Sequence, residues 1–186
     1  MKAIPVSRRF RWMNPEEAVR QLADLLVERP TLDLAEGCQA LETCGIPRSL
    51  AVRTYHFTQL AWARVLMDGL GVGFSADYLL FDHAGDVVEA GKVDDDPSYA
   101  AAWKLAGRFR ATPGFQHLVM TAADLKAVNS AILAGSKPAN LTMAPAFISL
   151  EPLTPEGASK MNGIIEQHIE ELQSQCARKK AWWRFW

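Results

Sequence analysis

The sequence predicts an α+β fold, mostly helical, with a small and mainly antiparallel sheet. Three observations predict it. Apolar residues recur at helical spacing behind several proline-marked helix starts. One segment, from about residue 49 to 68, is apolar around most of its circumference and calls for other helices packed about it. Two β-prone runs flank a glycine turn between residues 74 and 93, which makes that stretch a hairpin.

Asn14-Pro15-Glu16-Glu17 starts the first helix: Asn14 caps it, Pro15 takes the first helical position, and Val19, Leu22, Leu25 and Leu26 form its apolar stripe. A shorter helix is expected from Asp33 to Cys44, closed by Gly45. The central helix follows. Its charged residues Arg53, Arg64 and Asp68 fall on one narrow strip, and Leu50, Val52, Leu60, Trp62, Val65, Leu66 and Met67 occupy much of the rest. Gly69, Gly71 and Gly73 end it, and the hairpin pairs FSADYLLFD with VVEAGKV around Gly85. Asp96-Pro97 opens another helix, expected to cover Ala100 to Arg110.

Phe115–Met120 is short, apolar and bounded by proline and glycine, so it is expected to be a strand. A helix is expected from Thr121 to about Ala134, a loop over residues 136–145, and an edge strand over Ala146–Glu151, between two prolines. The last helix opens at Thr154-Pro155-Glu156 and carries a stripe of Met161, Ile165, His168, Leu172 and Cys176. Residues 1–177 are expected to form one globular domain, with residues 178–186 as a basic aromatic tail.

Composition bounds the function classes. A chain of 186 residues buries about two-thirds of its unfolded surface, enough for a core without disulfides or metal. Three cysteines, an odd number, point away from a secreted disulfide framework and toward a reducing compartment, the cytoplasm. The first residues lack the apolar stretch of a signal peptide, and no run approaches a membrane span.

The net charge of −1 conceals a segregation. Lys2, Arg8, Arg9 and Arg11 stand at one end and Arg178, Lys179, Lys180 and Arg184 at the other, with no acid in either stretch. Twelve basic residues and all twenty-one acids lie between, so a body of −9 separates ends that total +8. Both ends also carry aromatics: Phe10 and Trp12 in the first, Trp182, Trp183, Phe185 and Trp186 in the second.

The chemical motifs read as structure. GLGVG at residues 69–73 lacks the dinucleotide-loop spacing and follows a helix instead of a strand, so it is expected to stop a helix. GDVVEAGK has one residue too many for a P-loop and is expected to be a hairpin strand. Asp94-Asp95-Asp96 could offer hard oxygen ligands, but a calcium loop would need glycine where Tyr99 stands and glutamate where Leu105 stands. A solvated acidic loop with Asp96 as helix cap is the expectation, and no metal site or cofactor is expected.

No two of the four histidines have metal-site spacing. His56, His117 and His168 are expected as hydrogen-bonded interior residues and His83 as an exposed turn residue. Cys38 and Cys44 would point about 120° apart on a helix and are expected to be buried structural thiols.

The tail residues Lys179, Lys180, Trp182, Trp183, Arg184, Phe185 and Trp186 are the candidate binding residues. Four rings of about 150–250 Å² each seek an apolar surface, whose burial is worth several kcal/mol at ~25 cal/mol/Å². Three surfaces compete: the chain's own acidic body, another subunit or another protein, and a lipid headgroup region. Peripheral membrane contact needs more than one weak anchor, and nucleic acid would be repelled by the acidic body. A non-catalytic interaction module, with a homo-oligomer among its forms, is therefore the expected function. The alternative is an enzyme whose site assembles from dispersed residues, His117 with Asp94 or Asp96, or Cys38 with His56.

Overall fold

The computed structural model describes residues 14–69, 74–75, 77–120, 141–142 and 145–182. The fold is α+β, mostly helical with a small three-stranded mixed sheet. The helices are α1 (Pro15–Glu28), α2 (Leu34–Thr43), α3 (Arg48–Gly69), α4 (Pro97–Phe109), α5 (Pro113–Met120) and α6 (Pro155–Trp182). The strands are β1 (Phe74–Ser75), β2 (Asp77–Phe81), β3 (Val87–Lys92), β4 (Leu141–Thr142) and β5 (Ala146–Ser149). The chain divides into two compact units, residues 1–74 with 94–140, and residues 75–93 with 141–186.

The first unit is helical, and the starts of α1, α2 and α4 are fixed by side chains acting as caps. Asn14 accepts a hydrogen bond from the Glu16 amide at 3.0 Å. Asp33 and Glu36 close a reciprocal capping box. Asp96 accepts from the amides of Ser98 and Tyr99 at 2.7 and 3.1 Å.

As the apolar circumference of α3 predicts, α1, α2, α4 and α5 all pack on it. Trp62, fully buried, stacks between Phe109 and Phe115 at centroid distances of 6.1 and 4.8 Å. Its indole N–H donates to the Ala102 carbonyl at 3.0 Å, so the one polar atom of the ring is satisfied inside the core.

Residues Phe115–Met120 correct the sequence reading: they form a helix, α5, and not a strand. Pro113 starts it behind Thr112, whose hydroxyl accepts from the Phe115 amide at 3.3 Å. The buried residues Phe115, Leu118 and Val119 then recur at i, i+3 and i+4, a helical spacing that a six-residue apolar run hides among its neighbours. Gly114 lets α5 approach α1 so closely that a Cβ there would overlap the Leu26 carbonyl. The helix expected over Thr121–Ala134 lies outside the described residues. So does most of the loop expected over 136–145, although Leu141–Thr142 within it forms strand β4, which pairs with β1.

In the second unit the strand order is β3-β2-β5. β2 and β3 form the expected antiparallel hairpin, with Leu80 opposite Glu89 and Tyr78 opposite Gly91. β5 runs parallel to β2 at the sheet's edge, with Leu80 opposite Ile148. The hairpin turn is held by the Asp82 carboxylate, which accepts from the amides of Ala84 and Asp86 at 2.9 and 3.0 Å, and Gly85 supplies a φ of +73°.

Helix α6 begins against this turn. Thr154 donates its backbone N–H to the His83 carbonyl at 2.9 Å, and its hydroxyl accepts from the Gly157 amide at 3.0 Å. The ion pair Lys160–Asp86 adds a second tie. A Cβ at Gly157 would lie 2.5 Å from the His83 carbonyl oxygen, with only backbone around it to give way. Gly157→Ala is therefore expected to destabilise this unit by about 1–3 kcal/mol, the usual penalty of overpacking. Gly163→Ala, on the same helix with open space around it, is expected to stabilise by about 0.5–1 kcal/mol. Thermal melting of the two variants checks the opposed signs.

Candidate functional site

The charged strip on α3 has its counterpart in the acidic run that precedes α4. Arg53 pairs with Asp96 through Nε at 2.7 Å, and Arg64 pairs with Asp94. The three consecutive carboxylates thus separate: Asp96 is buried and caps α4, Asp94 engages Arg64, and Asp95 is exposed. Asp96 is the expected cap, but it is not solvated. Among the described residues no group of three or more His, Cys, Asp or Glu side chains could hold a metal ion.

Arg64 is the hub of the most elaborate surface constellation in the first unit. Its guanidinium lies 5.5 Å from the Trp103 ring centroid, donates to the Tyr99 hydroxyl at 3.3 Å, and has Nε 4.0 Å from the Asp68 carboxylate. Tyr99 and Trp103, one turn apart on α4, stack with centroids 6.3 Å apart and an interplanar angle of 22°. Burial works against the Arg64 charge, but the Tyr99 hydroxyl and the carboxylates of Asp94 and Asp68 outweigh it and raise its pKa. Burial likewise pushes the Tyr99 hydroxyl up to about 12, so it stays protonated and available to accept from Arg64.

Arg64, Asp94, Tyr99 and Trp103, with Ala100 and Lys104, line an open groove of about 420 Å³. Asp96 and Pro97 set the helix phase that places Tyr99, Ala100, Trp103 and Lys104 on its groove side, while Ala101, Ala102, Ala106 and Phe109 are buried. Trp103 is 38% exposed, a large indole left in water beside a cation. Arginine against an aromatic face is worth about 0.5–2 kcal/mol and holds the guanidinium in one orientation, lowering the entropy lost when a partner arrives. Chemically the groove offers stacking surface, a fixed planar cation and a phenolic oxygen.

The other candidates are dispersed. Lys179, Lys180 and Trp182 lie on the last turns of α6, whereas Trp183, Arg184, Phe185 and Trp186 lie outside the described residues. Cys38 is buried, but Cys44 is exposed, which corrects the expectation for that thiol; it occupies the C-cap of α2, where the helix face no longer shelters it.

Burial pushes the Cys38 thiol up to about 11; Arg48 draws it down and Glu42 raises it further. Burial lowers His56 to about 4, and its ring meets Tyr55 edge-on at 6.1 Å. A thiol raised to about 11 is scarcely ionised at pH 7, and an imidazole lowered to about 4 is a weak base. His56, His117 and His168 are half-buried. In the second unit the His168 ring lies 6.0 Å from Phe147 and its Nδ1 3.8 Å from Glu171. His83 is exposed in the hairpin turn, as expected. Among the described residues no helix is long and apolar enough to cross a membrane.

No family model, curated protein or solved structure matches the chain.

Proposed function

We propose that this protein is a non-catalytic interaction module that binds another protein through two elements. One is the Arg64–Tyr99–Trp103 groove. The other is the basic aromatic segment Lys179, Lys180, Trp182, Trp183, Arg184, Phe185 and Trp186, carried on an acidic body. The observation that carries the reading is Trp103: an indole 38% exposed, stacked on Tyr99 and capped by an arginine that is itself ion-paired. Tryptophan, tyrosine and arginine are the residues that dominate binding hot spots, and here all three are oriented before any partner is present. The cytoplasm suits the free thiols Cys38 and Cys44.

The test is crosslinking of the wild-type chain, Trp103→Ala and a 178–186 deletion in extracts of the source cell. Loss of a hot-spot side chain removes about 2 kcal/mol or more, so captured partners should fall at least tenfold in one or both variants. Identical crosslinked bands for all three proteins would remove the reading.

A further inference from the structure

The α1–α2 pair carries a third of the chain's acidic residues. Residues 14–45 hold seven acids, Glu16, Glu17, Asp24, Glu28, Asp33, Glu36 and Glu42, against two arginines, and all seven are exposed. This segment alone accounts for −5 of the −9 between the basic ends.

Between the two helices lies a groove of about 540 Å³. Its lining is mostly polar: the exposed residues Glu28 and Glu36 bring one carboxylate from each helix, Gln39 adds an amide, Thr43 a hydroxyl and Arg29 its one cation, while Leu25, half-buried, and Ala40, buried, form a small apolar floor. Its volume is that of a small-molecule pocket, enough for one or two large side chains of a peptide but not for a folded domain.

The chain itself contains the complementary ligand. Residues 178–186 combine four cations with four aromatic rings and no acid, and α6 delivers the first of them in helical form as far as Trp182. The basic N-terminal stretch has equal charge but only two rings, Phe10 and Trp12. With charge equal at the two ends, a groove that has a small apolar floor and two carboxylates at its rim selects the segment with twice the rings, in the manner of a helix laid in a groove.

We infer that the α1–α2 groove, around Glu28 and Glu36, receives the 178–186 segment of a second copy of this chain, so that two copies exchange their tails about a two-fold axis. The inference rests on the interaction reading above and names the partner. Glu28 and Glu36 are exposed, so reversing them leaves the buried residues in place; E36K also opens the Asp33–Glu36 capping box, so the urea midpoint of the variant is measured beside its association.

The experiment is sedimentation equilibrium of the full chain over a wide concentration range, at low and high salt. It compares wild type with the groove variant E28K/E36K and the tail variant K179E/K180E/R184E. Wild type should self-associate in a concentration-dependent way that weakens with salt, and each variant alone should bind itself at least tenfold more weakly. An equimolar mixture of the two variants should associate again, because each tail then meets a groove of opposite sign.

Restored association in the mixture establishes exchange between copies; docking of a tail on its own body would not restore it. Association lost on deleting residues 1–13 but kept without 178–186 would assign the groove to the other arm and overturn the inference. A wild-type chain that stays monomeric throughout would also overturn it. The interaction reading would survive that result if Trp103→Ala still abolished capture of a different protein.

Discussion

Replacing Trp62 with alanine is expected to lower stability by about 3–5 kcal/mol, the largest effect of any single core truncation in the first unit. Three losses combine. The ring is fully buried and stacks on Phe109 and Phe115, so its removal leaves a cavity bordered by two helices besides its own. Ala102, whose carbonyl the ring meets, is small and cannot extend to fill the space. The Ala102 carbonyl also loses its indole donor, although it retains its place in the α4 backbone ladder. Since a domain is typically stable by only about 5–15 kcal/mol, this variant should unfold at a much lower urea midpoint with an unchanged slope. Trp62→Phe keeps much of the volume and should lose less than half as much. Equal losses in the two variants would mean that the indole donor, and not the cavity, dominates.

Asp96→Ala is expected to cost about 3 kcal/mol or slightly more. The carboxylate performs two tasks at once: it caps α4 through the Ser98 and Tyr99 amides, and it neutralises Arg53, whose side chain is only 22% exposed. Loss of a cap alone costs about 0.5–2 kcal/mol, and loss of one partner of a buried pair about 3–5 kcal/mol. Arg53 can turn partly to water and also lies 5.4 Å from the Phe57 ring centroid, so the lower part of the combined range applies. Asp94→Ala supplies the contrast. Its carboxylate is 49% exposed, and removing it should cost no more than about 1 kcal/mol despite the same charge change. Chemical denaturation of both variants decides the matter: similar midpoints would show that Asp96 is no more structural than its neighbour.

Much of the fold was legible because it is written in local chemistry. The starts at Asn14, Asp33 and Asp96 are capping signals, and an all-round apolar helix such as α3 has few places other than the middle of a bundle. The hairpin announced itself through Gly85 between β-prone runs. Phe115–Met120 was misread because a six-residue apolar run carries too little periodicity to separate helix from strand, and Pro113-Gly114, taken as a boundary, is a helix entry.

The Arg64 groove was the larger omission, though half of its signal was present. Arg53 and Arg64 are eleven residues apart, three helical turns, on a helix otherwise apolar around most of its surface. Two aligned cations on such a helix demand opposed carboxylates, and Asp94-Asp95-Asp96 is the acidic run that supplies them. What no sequence period could show is that the same phase leaves Tyr99 and Trp103 beside Arg64. That depends on how α4 crosses α3.

The interleaving of the two units has a consequence for biosynthesis. Each unit is interrupted by the other, because residues 75–93 and 94–140 belong to different ones. When residue 93 leaves the ribosome, the first unit still lacks α4 and α5. The β2–β3 hairpin exists at that point only as two strands, a marginal object in water. Its third strand, Ala146–Ser149, and the helix seated on its turn emerge more than fifty residues later. A nascent chain therefore carries the exposed edge of β2 throughout synthesis of the whole intervening segment, the interval in which a holding chaperone would have most to protect.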